Sequence, residues 1–121
     1  MRIAVFALVR VHGTTKNVII GCREINATDP DKTLDAFCNL CDGEFMFSSR
    51  YGCDENLRRL DRGRNAVDSG YDAIVTRDAR NLITETRRLV NDVLIRYDLE
   101  PRDVMFSFIR IKGSKDDECQ Q

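Results

Sequence analysis

Residues 3–9, IAVFALV, form an unbroken apolar run. Seven residues is short for a globular helix, and the run has no polar face. It reads as a strand buried on both faces, the pattern of a parallel-sheet centre. Everything else in the chain must then supply layers to cover it. The preceding Met1-Arg2 gives this start some likeness to a short signal peptide. Arg10 interrupts the apolar stretch and no small-x-small cleavage pattern follows, so we read it as a strand of the mature protein. No apolar run approaches the ~20 residues that span a bilayer, so no membrane association is expected; the odd cysteine count without a signal sequence makes a reducing cytoplasm the expected location.

Punctuation along the chain sets the remaining elements. HGTTKN after the first strand is turn-like, and Val18–Cys22 is either a second strand or a helix start. In ATDPD, residues 27–31, Thr28 or Asp29 can cap a helix with Pro30 at its first position. Leu34, Phe37, Cys38 and Cys41 continue it as an apolar stripe, and Asp42-Gly43 closes it. EFMFSS, residues 44–49, reads as a short strand. Asp54 can cap a helix carrying Leu57, Leu60 and Val67, with Arg58, Arg59, Arg62 and Arg64 on its other faces. YDAIVT, residues 71–76, reads as the clearest internal strand, with RDARN as a loop after it. Residues 82–97 predict the best helix, with Leu82, Leu89, Val90, Val93, Leu94 and Tyr97 on one face. Residues 103–111, DVMFSFIRI, predict a last strand, and 113–121 a charged, frayed tail.

Alternation of this kind implies right-handed βαβ succession. The expected fold is α/β, a mainly parallel central sheet flanked by helices in a three-layer arrangement. No linker divides the chain, so residues 1–112 are expected to form a single domain.

In an open parallel sheet, ligands bind beyond the carboxyl ends of the strands. The first strand exits into Arg10, His12 and Gly13, the EFMF strand into Ser48, Ser49 and Arg50, and the YDAIV strand into Thr76, Arg77, Asp78 and Arg80. Arg10, Arg77, Asp78 and Arg80 are thereby a candidate anion- or phosphate-binding edge, because guanidinium groups hold phosphate and carboxylate bidentately. The plainer reading is loop charges that meet water or pair with acids. Bulk charge does not favour nucleic acid: 19 Lys and Arg face 20 Asp and Glu, for a net charge of -1.

Two stretches carry a family resemblance. MRIAVFALVRVHG resembles the opening of the serine recombinases (resolvases and invertases), where a strand ends in Arg-Val-Ser. LRRLDRGRNAVDSGYDAIVTRDARNL resembles that family's second motif, a helix, a turn, an apolar strand and an Asp-Arg-Leu-x-Arg segment. ITETRRLVNDVLIRYDLEPRDVMF is similar to its next helix and strand. The likeness covers residues 1–12 and about 57–109; between 13 and 53 only the order of elements corresponds. It implies a resolvase-like sheet, with Arg10 at an active-site arginine and His12 where the family has its serine nucleophile. Depending on register, Asp78 or Ala79 takes the motif aspartate and Arg80 or Ala79 the next arginine. The last arginine falls on Leu82 or Ile83 and is missing. Serine recombination needs a hydroxyl to attack DNA phosphate; imidazole at position 12 does not reproduce that intermediate, and Thr14 is two residues out of phase. No helix-turn-helix follows residue 111. The resemblance therefore implies a non-catalytic regulatory or DNA-associated protein of a mobile element, with a homodimer as a further expectation. An acidic pair after the first strand, a P-loop and a GxGxxG fingerprint are all absent from the sequence.

The cysteines are Cys22, Cys38, Cys41, Cys53 and Cys119, an odd set that argues against a secreted disulfide framework. Cys38-Asn-Leu-Cys41 has the spacing of half a zinc knuckle, but a four-thiolate site needs a second close pair, and both thiols lie on an apolar helical stripe. A redox CxxC places its first thiol at a helix start, and this pair stands at a helix end. No metal and no cofactor are expected. His12, the only histidine, is a candidate base; a lone histidine is more often a hydrogen-bonded structural residue. Arg58, Arg59, Arg62 and Arg64 are matched by Asp54, Glu55 and Asp61 at intrahelical spacing.

Three functions fit these residues. One is the recombinase-like domain without its nucleophile. Another is an enzyme binding a phosphorylated or anionic small substrate at the arginine edge. The third is a protein-interaction module. Convergence of Arg10, His12, Arg77 and Arg80 in one cleft favours the first two, and dispersion favours the third.

Overall fold

A computed structural model describes residues 2–11, 17–41, 53–67 and 69–112, the strands by their backbone. The elements run β1 (Arg2–Val11), β2 (Asn17–Asn26), α1 (Pro30–Leu40), α2 (Cys53–Asn65), α3 (Ala73–Arg96), a 3-10 turn (Pro101–Asp103) and β3 (Val104–Lys112).

The sheet has the order β2-β1-β3, and both pairings are antiparallel. This corrects the expectation of a mainly parallel, resolvase-like three-layer α/β fold. The physical reason lies in the first connection. Residues 12–16 are all that separate β1 from β2, whereas a parallel crossover needs a dozen residues or more. The apolar run 3–9 does occupy the central strand: Ile3 stands opposite Ile25 and Lys112, and Val9 opposite Ile19 and Phe106. The register with β2 shifts between Val9 and Arg10.

The second correction concerns residues 71–76. They do not form an inner strand; Asp72 caps a helix that begins at Ala73 and runs on to Arg96. The Asp72 carboxylate accepts the Val75 N–H at 2.9 Å, satisfying one of the donors a helix start leaves open. From there Val75, Ala79, Leu82, Ile83, Thr86, Leu89, Val90, Val93 and Leu94 are buried at helical spacing. RDARN, expected as a loop, is helix interior. Ile74 is 49% exposed, which a buried strand would not allow.

At its other end α3 closes in a Schellman motif. Asp98 N–H donates to the Ile95 carbonyl and Leu99 N–H to the Leu94 carbonyl, with Asp98 in the left-handed region at φ 53. Leu99 is partly buried and packs back on the core, as an apolar residue at this position of the motif commonly does. The α1 start matches expectation: Asp29 caps it through the Lys32 N–H at 3.2 Å, with Pro30 in the first turn. The strand expected at 44–49 and His12 lie outside the described residues.

The core forms where the helices meet each other and the sheet. Leu34, Ala36, Phe37 and Leu40 of α1 pack with Leu60 of α2 and with Val75, Ala79, Leu82 and Ile83 of α3. α3 lies along β2 and β1, and α2 along the 3-10 turn and β3. Gly63 marks the tightest approach. A Cβ there would stand 2.9 Å from Cys41 Sγ, 3.0 Å from the Leu40 carbonyl oxygen and 3.1 Å from Ile83 Cδ1.

Candidate functional site

The connection from α2 to α3 folds over the first turns of α3 and leaves an open groove of about 540 Å³. Val67 and Tyr71 form one wall, and Ala73, Thr76, Arg77, Arg80 and Asn81 the other. The helical wall follows from spacing, since residues 73, 76, 77 and 80 share a face. Two ties hold the walls together. Arg80 Nη2 donates to the Ala66 carbonyl, and the Ser69 and Thr76 hydroxyls hydrogen-bond at 2.6 Å. Tyr71 is braced from α1, its hydroxyl accepting from Asn39 Nδ2 at 3.2 Å.

The two arginines differ in their surroundings. Arg77 is 65% exposed and donates through Nη2 and Nε to Asp78 Oδ1, at 3.1 and 3.3 Å. Asp78 is buried, and its other oxygen accepts the Thr28 N–H at 3.2 Å. This carboxylate offsets one guanidinium and anchors α3 to the β2–α1 connection. Among the described residues no carboxylate pairs with Arg80, whose Nε is buried without an acceptor. A ligand or water oxygen is the usual partner of such an orphan donor. Among the described residues lining the groove, Arg77 and Arg80 are the charged ones, beside apolar Val67, which is 91% exposed.

Arg77, Asp78 and Arg80 thus come together, but on a helix rather than beyond a strand. Arg10 does not join them. It pairs with Asn17 and Met105, eight residues along β1 from Arg2, or about 26 Å at ~3.3 Å per residue. The Arg2 end, opposite Asn26, is the end nearest Thr28 and Asp78. Ser48, Ser49 and Arg50 lie outside the described residues. Sequence reasoning placed Thr76 beside the arginines but missed Tyr71 and Asn81 as groove residues; Asp72 as a helix cap was the signal that would have placed them.

The arginines of α2 are engaged by acids. Glu55 lies within ion-pair distance of Arg58, Arg59 and Arg62, and Asp61 binds Arg64 and Arg87 at 3.2 Å each. The second contact fastens α2 to α3. Cys38, Cys41 and Cys53 form no disulfide with one another. Cys41 has its pKa pushed up to about 12, mainly by burial and then by nearby Cys38, with Arg59 and Arg62 acting in the other direction. Burial, and secondarily Asp54, pushes Cys53 up to about 12 as well. Both are protonated at neutral pH, and the thiol is the poor nucleophile of the pair. Among the described residues no group of three His, Cys, Asp or Glu side chains is placed to hold a metal ion. No described helix is long and apolar enough to cross a membrane.

No protein-family model, curated protein or solved structure matches this chain.

Proposed function

We propose that this protein is a binding module whose α2–α3 groove receives a carboxylate- or phosphate-bearing group flanked by apolar atoms. The observation that carries this reading is the placement of Arg77 and Arg80 one turn apart on α3, facing Val67 and Tyr71 across one groove. An anion seated there meets two guanidinium groups and the Thr76 hydroxyl, at the end of α3 where the helix dipole is positive. Each charge-assisted hydrogen bond is worth roughly 1.5–3 kcal/mol. The exposed Val67 side chain gives the ligand's apolar part a surface to cover, which favours a mixed ligand over a bare ion. A shallow, open site of this kind suits recognition more than chemistry, which needs water excluded from the reacting atoms. Duplex DNA serves as the comparison ligand, because the exposed arginines of α2, which share Glu55 and Asp61, offer a polyanion a second surface.

Titration calorimetry with phenyl phosphate, inorganic phosphate and a short DNA duplex tests the proposal. Phenyl phosphate is expected to bind more tightly than inorganic phosphate. Arg77→Ala, at an exposed position, is expected to weaken it about tenfold, the equivalent of ~1.4 kcal/mol. No binding at millimolar ligand, or equal binding by the variant, removes the proposal. Tighter binding of DNA, unaffected by Arg77→Ala, transfers the function to another surface.

A further inference from the structure

The charge at the groove matches one kind of anion better than another. Arg77 and Arg80 supply two positive charges, and Asp78 offsets one of them through its contacts with Arg77 at 3.1 and 3.3 Å. The helix dipole adds little, because the Asp72 carboxylate already sits on the start of α3. A carboxylate carries one negative charge and meets that balance. A phosphate monoester carries about 1.5 to 2 at neutral pH and exceeds it. The neighbours of the arginines discriminate further. Ala73, Arg77 and Asn81 follow one another at i, i+4 spacing, so a small side chain, a cation and an amide stand in one row of the groove wall. Asn81 is exposed, and its side chain offers both donors and an acceptor. An ionised phosphate has no hydrogen to give that acceptor, whereas a peptide group presents an N–H and a C=O together. Arg77 and Asn81 stand about 6 Å apart along the helix axis, a span that about two residues of extended chain cover.

We infer that the ligand of the α2–α3 groove is the C-terminus of a partner polypeptide. Its terminal carboxylate lies on Arg77 and Arg80, the adjoining peptide group on the Asn81 amide, and an apolar last side chain on Val67. The inference deepens the anion-binding reading of the groove and rests on it. Two coplanar carboxylate oxygens fit a guanidinium edge, and capture of a chain end by its carboxylate is a recurring mode of peptide recognition. Val67, at 91% exposure, is the apolar surface that a terminal Val or Leu side chain covers. The groove is open, so the rest of the partner leaves it into solvent. Chain ends are commonly exposed and frayed, and such a site takes one without unfolding the protein that carries it.

Titration calorimetry on the full chain compares acetyl-Gly-Ala-Val with a free carboxylate, the same peptide as its C-terminal amide, acetate and phenyl phosphate. The free-carboxylate peptide is expected to bind about tenfold more tightly than its amide, the effect of one charge-assisted contact. It is also expected to bind more tightly than acetate or phenyl phosphate. Asn81→Ala, at an exposed helical position, is expected to weaken the peptide about fivefold, the worth of one neutral hydrogen bond, and phenyl phosphate by less. Equal binding of peptide acid and amide overturns the inference. So does a peptide no tighter than acetate or phenyl phosphate, or one whose affinity Asn81→Ala leaves unchanged. If the peptide assignment falls in one of these ways while Arg77→Ala still weakens phenyl phosphate, the groove itself stands as an anion site. If neither the peptide nor phenyl phosphate binds at millimolar concentration, the groove reading falls and this inference with it.

Discussion

Asp78 ties together more of the molecule than any other charged side chain at the groove. Its two oxygens serve Arg77 on one side and the Thr28 N–H on the other, and it does so while buried. Replacing it with Ala removes the acceptor of the Thr28 N–H and frees the Arg77 guanidinium. We expect a loss of about 1.5–3 kcal/mol in urea unfolding, the range for a charged hydrogen-bonding group; Asp78→Asn, which keeps one carbonyl oxygen, should lose less. A loss below about 0.5 kcal/mol, the size of an ordinary surface change, would contradict the bridging role. Gly63 tests packing instead. A methyl group there meets the Leu40 carbonyl oxygen at 3.0 Å, and backbone yields poorly. Gly63→Ala should cost roughly 1–3 kcal/mol, although alanine is the better helix former by about 1 kcal/mol. A stabilised variant would show that α1 and α2 separate easily. Cys41 and Cys53 set the alkaline limit. Their folded pKa values, about 12, lie above the ordinary value of 9.0. Between those values the unfolded chain ionises and the folded chain does not. Their contribution is therefore complete below pH 9 and is lost as pH rises towards 12. Thermal unfolding followed across that range should show a falling midpoint, and a midpoint constant to pH 11 would contradict their burial.

Helix α3 holds the clearest lesson about reading elements. Tyr71–Thr76 contains Ile and Val side by side, which favour strands when taken locally. The decisive signal was longer in range: Val75, Ala79, Leu82, Ile83 and Thr86 repeat at helical spacing straight through RDARN, and Asp72 caps the start. Pairing the apolar run with the turn-like letters after it hid that continuity. α1 was legible because its entry signal, a cap at Thr28 or Asp29 followed by Pro30, is local. The last strand was legible to within a residue, since Pro101 and the apolar run after it bracket it. At its far end α3 spends a non-glycine residue, Asp98, in the left-handed region. Glycine adopts that conformation without a Cβ penalty, so Asp98→Gly should stabilise the protein by about 0.5–1 kcal/mol. A destabilised Asp98→Gly would mean that the Asp98 side chain makes a contribution of its own.

Topology decides which sequence-near chemistry becomes one site. The apolar run 3–9 forms the central strand of the sheet, but of an antiparallel one and not the parallel one expected, because apolar character says nothing about direction. The five-residue connection to β2 carried that information, and it makes the sheet antiparallel. Once the strands alternate, their carboxyl ends no longer share an edge, and the argument that gathered Arg10 with Arg77 and Arg80 loses its basis. Arg77, Asp78 and Arg80 remain together only because they are neighbours on one helix. The account therefore stands on the α2–α3 groove as the anion site, and site-resolved NMR of the arginine Nε–Hε groups during a phenyl phosphate titration tests it most directly. The account predicts saturable shifts of the Arg77 and Arg80 signals, with the Arg10 signal unmoved at the opposite end of β1. Shifts centred on Arg10, or on Arg58 and Arg62 of α2 while Arg77 and Arg80 stay still, would contradict it.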